Sequence, residues 1–241
     1  MHPVNYEEKI TIELEFWKRK MRLKPSFFNK ITNNVQKKIN SYIPKKIHTA
    51  ITVTIKNMIK GVLYGSTYTT SNMPAMETSL VHREALVKQK IDNYCRTGAA
   101  EGGITGAGGF LMSMADFPIL IGIKMKLLFE IAALYGFDVK DYRERLYLLY
   151  IFQLAFSSQQ GRTKVFMHLE NWEDKLHILP ENVDSIDWKT LQQEYRDYID
   201  LAKLAQLLPV VGAAIGAIAN YQLIKQLGET AMQAYRMRLL K

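Results

Sequence analysis

One cysteine, Cys95, is the whole thiol content of this 241-residue chain. That excludes an internal disulfide and a cysteine-based zinc site, and it fits a reducing compartment. The five histidines, His2, His48, His82, His168 and His177, show no His-x-x-x-His or His-x-x-Glu spacing within one helix, so they make no metal site. No cofactor is expected. The opening MHPVNYEEKI puts acids where a secretory leader needs basic and then apolar residues, so secretion is not expected. Runs of alternating polar and apolar residues joined by hairpin turns are missing too, which excludes a β architecture.

Long hydrophobic runs are scarce. Ile104–Ile123 has the length to span a bilayer, with about ten strongly apolar residues contributing about −3 to −6 kcal/mol together. Against this, Asp116 costs about +3 kcal/mol at a helix centre, and the glycines and Pro118 erode the rest. Leu204–Ile224 carries no charge, but Pro209, Gln206, Asn220 and many alanines leave it only modestly apolar. Neither segment spans a membrane by itself.

What the two segments do have is small residues at helical spacing. Gly98, Gly102 and Gly106 lie four apart and share one face of a helix, followed by Gly109, Asp116 and Pro118. Gly212 and Gly216 repeat the spacing ahead of Asn220. Lacking a Cβ, such faces let a second helix approach closely. The two segments are expected to pack on each other, in a protein core or dipping into a bilayer.

The glycines do not hold phosphate. Gly103 and Gly108 have P-loop spacing, but Gly109 and Phe110 stand where Lys and Ser/Thr are required. The dinucleotide pattern fails at Leu111 and has no strand before it. Ser113 and Ser157 lack a Gly-x-Ser-x-Gly frame. Asp116 is expected to cap a helix starting at Phe117-Pro118. The alternative is a buried functional acid, with Glu101 beside it, in an unrecognised hydrolase-type or ligand-binding site. No catalytic constellation is visible.

Charge is informative by position. Residues 1–60 hold 13 of the 32 Lys/Arg and 4 of the 23 Asp/Glu, so the whole net charge of +9 sits there. Such asymmetry suggests an anionic partner, although a solvated basic face shares the signature. The basic segments are amphipathic. Ile10, Leu14, Trp17 and Met21 form a stripe over 5–21, a second helix is expected over 26–42, and a third over 45–63. Further helices are expected at 75–96 (with a surface Glu84–Lys88 pair), 123–135 ending at Gly136, 142–156 capped by Asp141, 162–178, 187–208 and 221–240. The fold class is all-α: a multi-helix bundle with two close-packed glycine/alanine-rich segments. It is expected to be one domain over 1–241, with 1–64 as a semi-independent basic part.

Glu-Phe-Trp17-Lys-Arg-Lys-Met21 with Lys24-Pro25-Ser26, the Ile39-Asn-Ser-Tyr-Ile43-Pro44 stop, Gly98 to Gly109 with Asp116-Phe-Pro118, Ile131-Ala-Ala-Leu-Tyr135-Gly136, and Pro209, Gly212 and Asn220 resemble the EcsC family. The resemblance covers nearly the whole chain. It implies a bacterial protein, intracellular or membrane-associated, tied by the family's name to the Ecs ABC-transporter operon, and it supplies no catalytic residues. The small-residue segments are similar, more loosely, to membrane-linked helical domains beside some bacterial GTPases.

The expected function is therefore a non-enzymatic accessory protein at the cytoplasmic membrane face, peripheral or partly inserted, meeting an anionic surface or a membrane protein complex. Lys18, Arg19, Lys20, Lys24, Lys37, Lys38, Lys45 and Lys46 would face the headgroups. Trp17, Phe27 and Phe28 would anchor at the interface. A nucleic-acid binder would use the same basic quarter, but no reading motif supports it.

Overall fold

Two 28-residue helices, α3 (Leu80–Ala107) and α7 (Gly212–Leu239), run antiparallel along one another and form the spine of the structure. The structure is a computed structural model that describes residues 5–23, 45–64, 78–107, 117–157, 159–178 and 212–240. The other elements are α1 (Tyr6–Arg22), α2 (Lys45–Tyr64), α4 (Phe117–Tyr135), α5 (Tyr142–Phe156), α6 (Gln159–Glu170) and a 3-10 turn (Glu173–Ile178). There is no strand among the described residues, and the fold is all-α.

The spine closes tightly because each helix offers the other a glycine. A Cβ at Gly98 would collide with Ile224 of α7. One at Gly228 would fall 2.5 Å from Cγ1 of Ile91 on α3. The Cys95 thiol donates to the Tyr221 carbonyl 3.6 Å away in the same seam. α4 lies against both spine helices and buries nearly all of its length, from Leu120 to Tyr135. Its end is set by Gly136 at φ +91°, where Gly136 N–H donates to Ala133 O and Phe137 N–H to Ala132 O, both at 3.0 Å. That pattern satisfies the last carbonyls of the helix and needs a residue free to turn left-handed. Asp141 starts α5 by accepting from Arg143 N–H at 2.9 Å.

The outer helices complete the core. α2 covers α4 and α5 with Ile55, Met58, Ile59 and Val62. α6 packs on α5, and α1 lies over α6 and α7. Along α1 the stripe Ile10, Leu14 and Met21 is buried, and Trp17 meets Phe166 edge-on at 5.6 Å between centroids.

Several expectations need correction. Glu84 does not pair with Lys88; it is fully buried and reaches Arg236, and Lys88 sits 6.0 Å from the Tyr6 ring. Burial in the spine makes an arginine a better partner than an exposed ammonium. Residues 162–178 are not one helix: α6 ends at Glu170 and a 3-10 turn follows. The Gly212 segment and the expected 221–240 helix are continuous as α7. Trp17 turns inward to Phe166 instead of anchoring outward. The helices expected over 26–42 and 187–208 lie outside the described residues, as do Phe27 and Phe28.

Candidate functional site

The last turns of α7 read Tyr235-Arg236-Met237-Arg238. Residues two apart on a helix point about 200° apart, so the two arginines leave α7 on opposite sides. Arg236 enters α3. Its Nε donates to Glu84 Oε1 at 2.7 Å and its Nη2 to Oε2 at 2.6 Å. Tyr6 OH of α1 donates to Oε2 at 2.6 Å, and Tyr135 OH of α4 to Oε1 at 3.2 Å. Each Glu84 oxygen thus accepts two hydrogen bonds, which uses the acceptor capacity of a carboxylate. The remaining Arg236 nitrogen, Nη1, reaches Glu13 of α1 at 2.9 Å.

Arg238 serves the other side. Its Nη1 donates to Glu144 Oε2 of α5 at 2.6 Å, and its Nε to Glu173 of the 3-10 turn at 2.9 Å. Tyr235 OH donates to Glu144 Oε1 at 2.5 Å. The guanidinium lies 3.9 Å from the Phe137 centroid and 4.7 Å from that of Tyr147, a cation between two rings. A third buried carboxylate, Glu130 of α4, accepts from Tyr94 OH at 2.8 Å. The Lys90 ammonium stands 2.8 Å from its Oε2 as an ion pair, off the angle of a hydrogen bond.

The electrostatics follow from this packing. Burial works against the charge on Glu84, but the Arg236 and Tyr6 hydrogen bonds and the Arg236 charge hold its carboxyl below the ordinary glutamate range. At Glu144 burial prevails over Arg238 and Tyr235, and the carboxyl is raised. Tyr6 is pushed up to about 12 by burial and by the Glu84 carboxylate. These groups fix five helices and the 3-10 turn around one end of the spine. With its lone pairs occupied, Glu84 positions helices rather than moving protons.

Beside Arg236 opens a cleft of about 670 Å³ roofed by α1. Its walls include Trp17 and Met21 of α1, Leu154 of α5, and a row of α7 side chains from Gln222 to Gln233. The outer face of α1 is different in kind: Ile12, Phe16 and Leu23 are 55%, 66% and 60% exposed.

The residues singled out from sequence are dispersed. Gly98 is in the seam, Gly102 and Gly106 lie further along α3, and Gly212 and Gly216 lie in the first turns of α7. Asn220 is buried, and its Nδ2 has no hydrogen-bond partner among the described residues. Pro118 is the second residue of α4 and is exposed. Gly109 and Asp116 lie outside the described residues, although α4 does start at Phe117. Lys18 pairs with Glu15 at 2.9 Å, and Arg19 and Lys20 are exposed. Lys45 and Lys46 open α2, and Lys24, Lys37 and Lys38 are outside the described residues. The paired arginines of α7 were missed. Their signal was two cations two apart beside a tyrosine, which also suits an ordinary helix end.

Among the described residues no cluster of three His, Cys, Asp or Glu could hold a metal, and no helix is long and apolar enough to cross a membrane. The model of the EcsC protein family matches residues 8–240. The chain is 49% identical over 225 residues to "Protein EcsC" of Bacillus subtilis (strain 168), covering 93% of this chain and 92% of that one. It is 34% identical over 148 residues to "Uncharacterized protein YdbA" of the same organism, covering 59% of this chain and 53% of that one. No solved structure matches.

Proposed function

The chain belongs to the EcsC family, and from that footing we propose that it is a non-enzymatic helical accessory protein that rests on an anionic membrane surface through the outer face of α1. One observation carries this. At about 100° per residue, Ile12, Phe16, Arg19 and Leu23 fall within one narrow line, opposite the buried Ile10, Leu14 and Met21. Lys20 stands beside that line, as do Arg22, which is paired with Glu170 of α6, and the exposed Glu8.

A helix apolar on both faces, with cations along the outer one, is suited to lying in a headgroup layer. Each Lys or Arg near an anionic surface contributes on the order of 1 kcal/mol. Glu15 subtracts little, because it is paired with Lys18. The transporter association in the family's name is proposed to be made from that position, beside a membrane protein complex.

Flotation of the intact chain with phosphatidylglycerol-containing vesicles and with pure phosphatidylcholine vesicles tests the proposal. Recovery with the anionic vesicles is expected, together with a loss of tenfold or more for Phe16→Asp at an unchanged unfolding midpoint. Equal recovery with both vesicles, or none, overturns it. Binding to nucleic acid that ignores Phe16 and falls steeply with salt would replace it.

A further inference from the structure

The two ends of the spine differ in kind. One holds Glu84, Arg236 and Arg238; the other is almost without charge. Gly98 opposes Ile224, and Glu130 of α4 meets Tyr94 and Lys90 of α3, which sets the three helices level with one another. Beyond that level α7 carries no charge from Gly212 to Ile224, α4 none from Phe117 to Ile123, and α3 only Glu101 from Thr97 to Ala107. The chain leaves α3 and re-enters as α4 at this same end, and residues 108–116 carry a single charge, Asp116. Residues 204–211, which lead into α7, carry none. Apolar side chains stand open here: Ile119 is 53% and Ile218 63% exposed, and Pro118 is exposed beside them in sequence.

A belt of cations marks where the charge stops. Arg96 of α3, Lys126 of α4 and Lys225 of α7 are all exposed, and the contacts just given put them within about one helical turn of a common level. Arg96 pairs with Asp92 at 3.5 Å, and Lys225 stands 4.0 Å from Glu229. In both pairs the cation is the member nearer the chargeless end. Lys124 of α4 lies past the belt in sequence but is buried. A tip made for water would carry charge at its extremity. Cations brought by three helices to one level, with almost no charge beyond, follow instead the order of groups met on entering an anionic membrane. The helices rise about 13–20 Å from belt to end, close to one leaflet of a hydrocarbon core about 30 Å thick.

We propose that this end of the spine enters the hydrocarbon of one membrane leaflet, with Ile119 and Ile218 among acyl chains and Arg96, Lys126 and Lys225 at anionic headgroups. Glu101 and Asp116 lie beyond the belt, and no described helix is long and apolar enough to cross, so the tip enters without spanning. The surface is separate from the outer face of α1. It rests on the same reading that the chain works at an anionic membrane, and it fails separately from the α1 contact.

The experiment uses the intact chain with single substitutions Ile218→Cys, Ile119→Cys or Val81→Cys, each labelled in the folded state with an environment-sensitive nitrobenzoxadiazole. Cys95 is buried and stays unlabelled. Val81, 48% exposed near Glu84, is the control at the opposite end. Phosphatidylglycerol vesicles carrying a spin label on the acyl chain are expected to quench the probe at Ile218 and Ile119 at least threefold more than at Val81. Ile218→Asp is expected to weaken flotation tenfold or more with the thermal midpoint unchanged. Flotation without that difference in quenching overturns the insertion and leaves the α1 contact standing. Flotation that Phe16→Asp leaves intact and Ile218→Asp removes strikes the α1 contact and upholds the tip. No flotation with anionic vesicles overturns both.

Discussion

Glu84 and Arg236 join across 152 residues of chain through two parallel hydrogen bonds, at 2.7 and 2.6 Å, with both side chains almost wholly out of solvent. Removing one member strands the other, and the stranded charge has no water to turn to. Arg236→Met is therefore expected to cost about 3–5 kcal/mol in urea unfolding. The double variant Glu84→Leu/Arg236→Met is expected to lose less than the sum of the two single changes, with the difference measured by a double-mutant cycle.

The pH dependence of stability should separate two carboxylates. Glu84 is held low in the folded chain, so the unfolded chain takes up a proton first as pH falls. Its stabilising contribution is complete above the ordinary glutamate value of 4.5 and is lost as pH drops through the lower folded value. Glu144 is raised, so the folded chain takes up its proton first, and its ionisation costs stability above that raised value. This cost is relieved as pH falls toward 4.5. Urea midpoints followed against pH should decline on the acid side, a slope that Glu84→Gln flattens. Glu144→Gln should instead remove a rise of opposite sign just above it.

The α3–α7 seam predicts an order of damage. At Gly228 an added methyl meets Ile91 Cγ1, Cδ1 and Cγ2 within 3.1 Å, and a β-branched side chain cannot swing clear. At Gly98 it meets chiefly the terminal Cδ1 of Ile224, one atom rather than three. Gly228→Ala should cost about 1–3 kcal/mol by thermal or urea unfolding, and Gly98→Ala less.

Cys95 should be chemically quiet. Burial, assisted by the negative charge of Asp92, pushes its thiol up to about 11, and only the thiolate attacks alkylating reagents. Iodoacetamide at neutral pH should label the unfolded chain readily and the folded chain at least tenfold more slowly.

Local signals in the sequence survived because they act locally. The Ile10, Leu14, Met21 stripe, the left-handed Gly136 and the Asp141 cap each depend on residues within a few positions, and the structure has all three. The Glu84 partner was illegible for the converse reason. Lys88 lies one turn away and is the partner that local spacing suggests, whereas the true partner sits on a helix 152 residues later. Lys124 and Glu130 are likewise charged residues on a helix, yet they are buried to 3% and 6% exposure, and Glu130 meets Tyr94 and Lys90 of α3. The stripe placed Trp17 inward and the core takes it so; only its second role as an interfacial anchor fails, and Phe16 is the aromatic left outside. The cleft draws residues from five helices, and spacing along one helix carries no trace of it.

The bond from Arg236 to Glu13 spans 223 positions. A ribosome delivers α1 long before it delivers the arginine that α1 must grip, so this helix waits undocked through most of translation with its greasy side bare. Its contacts with α6 can form earlier, but the clasp on Arg236 closes only once α7 has emerged. Truncation ahead of Arg236 therefore unfastens the first helix together with the last.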